Sequence, residues 1–186
     1  MNQELSSMIP KSSPVEARSR SQAFVEYIVR RCESDNGVRA SLSRADNPSL
    51  EYQSWEILAG FGVDLESDND RLSYGIVAAD IARTKSTGNG PIGLGQAIAR
   101  CYKDGNREDQ AKGKLRRLLA CDSLHEAVLI LRPIFRLIES RSAGLLDYAS
   151  ILKDLQGFDN DERRNRAKIH WAQEFFGKSK EEEGGP

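Results

Sequence analysis

The sequence contains no apolar run approaching the roughly 20 residues that a membrane-spanning helix needs. Its opening segment, MNQELSSMIPKSSPVEARSRS, also lacks the apolar centre of a secretory signal. No segment alternates apolar and polar residues between turns, the pattern that would indicate a half-buried strand. We therefore expect a cytoplasmic protein with no membrane partner and no β-sheet.

Side chains suited to catalysis or metal binding are scarce. The chain has two histidines and three cysteines among its 186 residues. Cys32, Cys101 and Cys121 lie at wide spacings in apolar segments, which is typical of buried thiols in a reducing compartment and not of a disulfide framework. Because the sequence shows no recognisable set of nucleophile, base and orienting group, we predict that the protein is not an enzyme and uses no cofactor.

Three motifs that could suggest a ligand site lack the context that such a site needs. Residues 88–93, GNGPIG, spell a dinucleotide-binding pattern, but the preceding segment is predicted helical, so we interpret them as a flexible connection. Cys121 and His125 are four residues apart, but no second pair completes a metal site. The acidic segment 64–70 lacks the glycine and terminal glutamate of a calcium loop, which favours helix-start acids there.

Apolar residues recur at helical spacing through most of the chain. We predict an all-α fold of about eight helices in two packed bundles, with a subdomain at 21–90, a second at 91–177, and disordered tails at 1–20 and 178–186. On helical stripes, Trp55, Trp171 and Phe176 are predicted to face the core, so we expect no base stacking on the tryptophans. The predicted helix caps are Ser67, Ser123, Asp147 and either Asp159 or Asn160.

Charge is distributed unevenly although the net charge is −1. Residues 1–90 hold 10 Lys and Arg against 13 Asp and Glu, whereas residues 91–180 hold 17 against 12. In the segment KGKLRRLL, an apolar helical stripe is flanked on one side by Lys112 and Arg116 and on the other by Lys114 and Arg117. Like charges four residues apart cost a few tenths of a kcal/mol unless an anion relieves them.

Two interpretations of these cations remain open at the level of residues. Each one taken alone is most simply a solvated side chain whose stem covers apolar neighbours. A set spaced along helices also suits a phosphate backbone, because affinity accumulates contact by contact without reading the bases.

The order of several segments resembles a known family. LGQAIAR, KLRRLLACDSLHEAVLILRPIFRLI, LLDYASILKDL and HWAQEFF follow one another as in the CasB family, and DNGVRASLSRADNP and SWEILAGFG extend the match over residues 21–177. CasB is the small subunit of the type I-E CRISPR surveillance complex called Cascade. The resemblance implies an all-helical, non-catalytic protein that is present as two copies beside the backbone filament and the large subunit.

The resemblance also implies nucleic-acid partners, namely guide RNA, target DNA and the displaced strand during R-loop formation. The residues it marks first are Arg44, Lys114, Arg117, Arg132 and Arg136. A second rank comprises Arg39, Arg116, Arg163, Arg164 and Lys168. The alternatives are an architectural module whose basic faces bind acidic proteins, motivated by the near-neutral charge, and a helix-turn-helix regulator with a specific operator.

Overall fold

The computed structural model describes residues 19–177, which form nine α-helices and two short 3-10 helices, Glu51–Ser54 and Gly105–Arg107. The α-helices are Arg20–Ser34 (α1), Asn36–Leu42 (α2), Trp55–Phe61 (α3), Asp68–Thr84 (α4), Leu94–Arg100 (α5), Asp109–Leu119 (α6), Leu124–Ser140 (α7), Tyr148–Gln156 (α8) and Asp161–Phe176 (α9). Over this range the only strand-like pairing is an isolated bridge between Ile92 and Leu146. The all-α prediction is therefore confirmed. The predicted tails lie outside the described residues, except for Ser19, which caps α1, and Arg20, which is its first residue.

Side-chain caps fix where most of the long helices begin. Ser67, Ser123 and Asp147 each accept a hydrogen bond from the backbone N–H three residues later, as predicted. For α9 the cap is Asn160, which accepts from the N–H of Arg163 at 3.0 Å. These bonds satisfy N–H groups that the first turn of a helix leaves without a partner.

Helix α4 lies at the centre of the fold and packs against α1, α2, α7 and α8. Its residues from Ser73 to Ala82 are all buried, as expected of a helix enclosed on every side. Helix α1 also packs against α8, and one continuous cluster of buried side chains includes residues from both halves of the chain. The division into subdomains at residue 90 remains a prediction.

The glycine-rich segment 86–93 is held against the segment that joins α7 to α8. The N–H of Gly90 donates to Leu146 O at 2.8 Å, and the N–H of Asp147 donates to Ile92 O at 2.8 Å. A side chain at position 90 would overlap the backbone of Leu145, so glycine allows the two segments to meet. The segment is thus a packed connection, and no phosphate-binding helix turn follows its first glycine.

Helices α5 and α9 pack together closely because Gly93 and Gly95 have no side chain that would collide with α9. A Cβ on Gly95 would overlap the backbone of Trp171, so only glycine permits this approach. The N–H of Gly95 donates to Oε2 of Glu174 at 3.0 Å, which ties the start of α5 to the side of α9. This contact fixes the start of α5 relative to the last turns of α9.

The predicted burial of two aromatic residues is wrong. Trp55 is 39% exposed and Phe176 is 57% exposed. A 3-10 helix precedes Trp55, and the short α3 buries Ile57 and Leu58 instead. At the end of α9, Phe175 occupies the core position, and the adjacent residue then points about 100° away around the helix. Trp171 is fully buried, as predicted.

The three cysteines are free and buried, as the sequence indicates. Burial raises the pKa of Cys32 to about 11 and that of Cys101 to about 11. Both thiols therefore stay protonated at neutral pH and act as small apolar side chains.

Candidate nucleic-acid interface

Helix α6 carries Lys114 and Arg117, two of the five cations that the family resemblance marks first. Its buried face consists of Ala111, Leu115 and Leu118. Lys114 and Arg117 lie beside Gly113 on the outer side, and with Tyr102 and Gln110 they line a depression of about 240 Å³. Nothing lies within 4 Å of the place where a Cβ of Gly113 would be, so this depression opens to solvent.

The positive charge of this helix is largely uncompensated. Lys114, Arg116 and Arg117 make no ion pair with any residue from 19 to 177. Lys112 differs, because its Nζ lies 3.5 Å from Oδ1 of Asp109. Within the described part of the chain, three of the four cations in KGKLRRLL thus have no carboxylate partner.

Arg141 lies near these cations, and the sequence reasoning missed it. The residue follows the last turn of α7, outside the helical pattern used to find candidates. Burial raises the pKa of Cys101, and the nearby charges of Arg141 and Lys114 both act against that rise. The charges of Arg141, which follows α7, and of Lys114 on α6 therefore both act on Cys101.

Helix α7 packs against α6 and carries a second pair of predicted cations. Arg136 is exposed and Arg132 is half-buried on the side opposite Leu131, Phe135 and Ile138. Neither arginine forms an ion pair within the described part of the chain, and the buried Nε of Arg132 has no hydrogen-bond partner there. The structure thus brings the two most strongly predicted pairs onto neighbouring helices.

The fold and this arrangement can be compared with known proteins. A family model described as CRISPR-associated protein Cse2 matches residues 38–176. The chain belongs to the Cse2 family. The matched range includes every cation predicted above, from Arg39 to Lys168.

Two solved structures have a similar fold. The crystal structure of M. ruber CasB has a TM-score of 0.70 and 28% sequence identity, covering 89% of this chain and 97% of that one. The crystal structure of CasB from Thermobifida fusca has a TM-score of 0.66 and 18% identity, covering 86% and 99%. A comparison with curated proteins finds no match. The Cse2-family chain thus shares nearly the whole length of both folds.

Two predicted cations of this Cse2-family protein are engaged by its own carboxylates. Arg164 donates to Asp161 Oδ1 at 2.8 Å and also to the carbonyl of Phe158. Lys168 lies 3.4 Å from Oδ1 of Asp122, a residue 46 positions earlier in the chain. Their charge is partly neutralised, so we leave them out of the proposed binding surface.

Arg39 and Arg44 lie elsewhere and are fixed by neutral partners. Arg39 donates to the side-chain oxygen of Asn36, and Arg44 donates to that of Gln53 at 2.8 Å. An amide orients a guanidinium without cancelling its charge, so both remain cationic. They belong to α2 and the turn after it, which pack against α1 and α4, whereas α6 packs against α5 and α7.

Arg163 is exposed and lines a separate cleft of about 550 Å³ between α8 and α9, together with Lys153 and His170. His170 lies 3.0 Å from Asp154 and 3.2 Å from Glu174. Burial lowers the pKa of His170, but the hydrogen bond with Asp154 and the charge of Glu174 outweigh it, and the pKa is raised. This cleft is a second basic surface, apart from the one on α6.

The rejected ligand motifs have structural roles. Cys121 is buried in the turn before α7, and its thiol donates to the carbonyl of Arg117. In the acidic segment, Asp68 pairs with Arg71, and Asp64 accepts from the N–H of Glu66. Throughout residues 19–177, no group of three or more metal-binding side chains occurs, and no helix could cross a bilayer.

Proposed function

We propose that this chain is the non-catalytic small subunit of a type I-E CRISPR Cascade complex and contacts nucleic acid through α6 and α7. Membership of the Cse2 family supports a role in a CRISPR complex. The observation that carries the nucleic-acid part is a set of cations on neighbouring helices that have no ion pair with any residue from 19 to 177: Lys114, Arg116, Arg117, Arg132 and Arg136.

The proposed role is to stabilise guide RNA, target DNA and the displaced strand while the duplex opens. Exchange of DNA pairing for guide pairing is nearly balanced in free energy, so a few protein contacts to phosphates can shift it toward the opened state. Each neutralised phosphate also releases counterions, which makes the contribution dependent on salt. The partners are the backbone filament, the large subunit and a second copy of this chain, in the cytoplasm.

Charge reversal with a matched control tests the proposal. Lys114→Glu with Arg117→Glu changes the net charge by −4, and so does Arg30→Glu with Arg31→Glu on the exposed side of α1. The first pair should weaken target opening by the assembled complex, and should reduce the salt slope for single-stranded DNA by about 1.4 if both cations contact phosphates. The second pair should leave both quantities near those of the wild type.

The alternatives give different results in the same experiment. If the cations of α6 bind acidic proteins, Lys114→Glu with Arg117→Glu should prevent assembly, and copurification with the other subunits will reveal it. Normal assembly with unchanged target opening and an unchanged salt slope would contradict the nucleic-acid role. A helix-turn-helix regulator should instead select one operator sequence from random duplex DNA.

A further inference from the structure

Phe176 is an exposed aromatic residue with a fixed position. Its ring meets that of Phe175 edge to face, with centroids 4.9 Å apart and an angle of 81° between the planes. Phe175 is 1% exposed, so the contact with its buried ring restricts the position of Phe176. Phe176 itself is 57% exposed. A face of the ring is therefore offered to solvent at a defined place on the surface.

Phe176 lines a cleft of about 440 Å³ between the end of α9 and residues 99–107. The volume falls within the range of sites that hold small organic groups, about 300 to 1,000 Å³. Tyr102, Lys103 and Arg107 line the same cleft. The cleft thus combines an open aromatic ring with cations.

The electrostatics of the cleft favour an anionic ligand. Lys103 and Arg107 are exposed and make no ion pair with the described residues. Of the two acids in the lining, Glu174 already accepts from the N–H of Gly95 and contacts His170 Nε2 at 3.2 Å. Asp104 is the other acid among the described residues of the lining, and Lys103 and Arg107 outnumber it.

The cleft adjoins the depression on α6, because Tyr102 lines both. Phe176 lines the cleft, and Lys114 and Arg117 line the depression. A strand whose phosphates follow the cations of α6 would therefore bring its next nucleotides to the cleft. Single strands are held in this way in general, by a cationic track with aromatic rings on which bases stack.

We propose that this cleft binds an unstacked base of single-stranded DNA, with the ring of Phe176 as the stacking surface and Lys103 and Arg107 contacting the adjoining phosphates. The inference rests on the proposed function and adds to it a base-binding subsite. The strand is the displaced one, because its bases are unpaired while the target strand is paired to the guide.

Other exposed apolar side chains do not fit this role. Ile169 is equally exposed, at 57%, but it is aliphatic and lies outside both cavities. Tyr52 and Trp55 are aromatic, but they lie within residues 45–70, which contain seven acids and no Lys or Arg. That segment would repel phosphates, whereas the cleft at Phe176 adjoins cations.

The test uses the full-length protein and two short single-stranded DNA oligomers, one normal and one with abasic sites through its centre. Wild type should bind the normal oligomer about 5- to 150-fold more tightly, the range expected for one stacked base. Phe176→Ala and Phe176→Leu should abolish this preference, and Phe176→Trp should keep it. Ile169→Ala is the control for losing an equally exposed apolar side chain, and should behave like the wild type.

Three other results are distinguishable. If wild type binds both oligomers equally, or if Phe176→Leu keeps the full preference, the base-binding subsite is refuted and the phosphate contacts stand. If Ile169→Ala loses the preference as well, stacking on Phe176 is not its cause and the subsite is again refuted. If wild type binds neither oligomer and charge reversal at Lys114 and Arg117 has no effect in the complex, the proposed function fails too.

Discussion

The substitution Gly95→Ala should destabilise the protein although alanine is the better helix former. A Cβ at position 95 would overlap the carbonyl oxygen of Trp171 and lie 2.7 Å from the backbone N of Phe175. Both contacts are with the backbone of α9, which cannot relieve the overlap by changing rotamer as a side chain can. Helices α5 and α9 must therefore move apart, and the hydrogen bond from Gly95 to Glu174 should weaken.

The size of the effect follows from opposing contributions. Overpacking a close contact costs about 1 to 3 kcal/mol, and weakening the hydrogen bond costs about 1 kcal/mol more. The higher helix propensity of alanine offsets up to about 1 kcal/mol of this loss of stability. We expect a net loss of about 1 to 4 kcal/mol, which for a chain of this size lowers Tm by roughly 3 to 10 °C.

Thermal and urea unfolding followed by circular dichroism will measure the change, with Gly113→Ala as the matched control. Gly113 is within α6 and has nothing within 4 Å of a Cβ, so the same substitution should stabilise there by about 0.5 to 1 kcal/mol. Opposite signs at the two positions are the expected result. A Gly95→Ala protein as stable as the wild type would refute the close packing of α5 on α9.

Burial raises the pKa of Asp80 to about 6, and a carboxyl with a folded pKa above its unfolded value of about 3.9 destabilises the fold as it ionises. Ionisation of Asp80 should therefore lower the free energy of unfolding by up to about 3 kcal/mol between pH 4 and pH 6. Asp80→Asn should flatten this part of the pH profile measured by urea unfolding. An unchanged slope would contradict the raised pKa of Asp80. The pKa of His170 is raised, so its contribution to stability is present below the unfolded pKa and is lost as the pH rises through the folded one. His170→Gln should remove that loss, and an equal loss in the variant would exclude His170 as the source. Glu174→Gln should lower the pKa of His170 in an NMR titration, because it removes a carboxylate 3.2 Å from Nε2; an unchanged pKa would show that Glu174 has no part in the shift.

The distribution of charge suggests why one protein could contact both a polyanion and other subunits. The segment 45–70 is acidic and presents Tyr52 and Trp55, whereas α6 and α7 present cations. Under the proposed function, phosphates are attracted to one surface and repelled by the other, so a strand would lie on the basic side. This arrangement is compatible with a net charge of −1.

Local patterns in the sequence determined the secondary structure. Apolar spacing indicated the helices, and Ser67, Ser123 and Asp147 were identified as caps because a helix start leaves N–H groups that a nearby oxygen can satisfy. The order of these helical segments was also enough to indicate the family. Each of these signals depends on residues within a few positions of one another.

Tertiary structure decided which cations and aromatic rings are available. Lys168 meets Asp122 across 46 positions of the chain, and Arg141 approaches Cys101 only because α7 packs beside the end of α5. Phe176 is exposed because Phe175 takes the core position against α5. Helical periodicity indicates which residues share one side of a helix. Pairing between charges that are distant in the sequence depends on how the helices pack, which is a property of the whole fold.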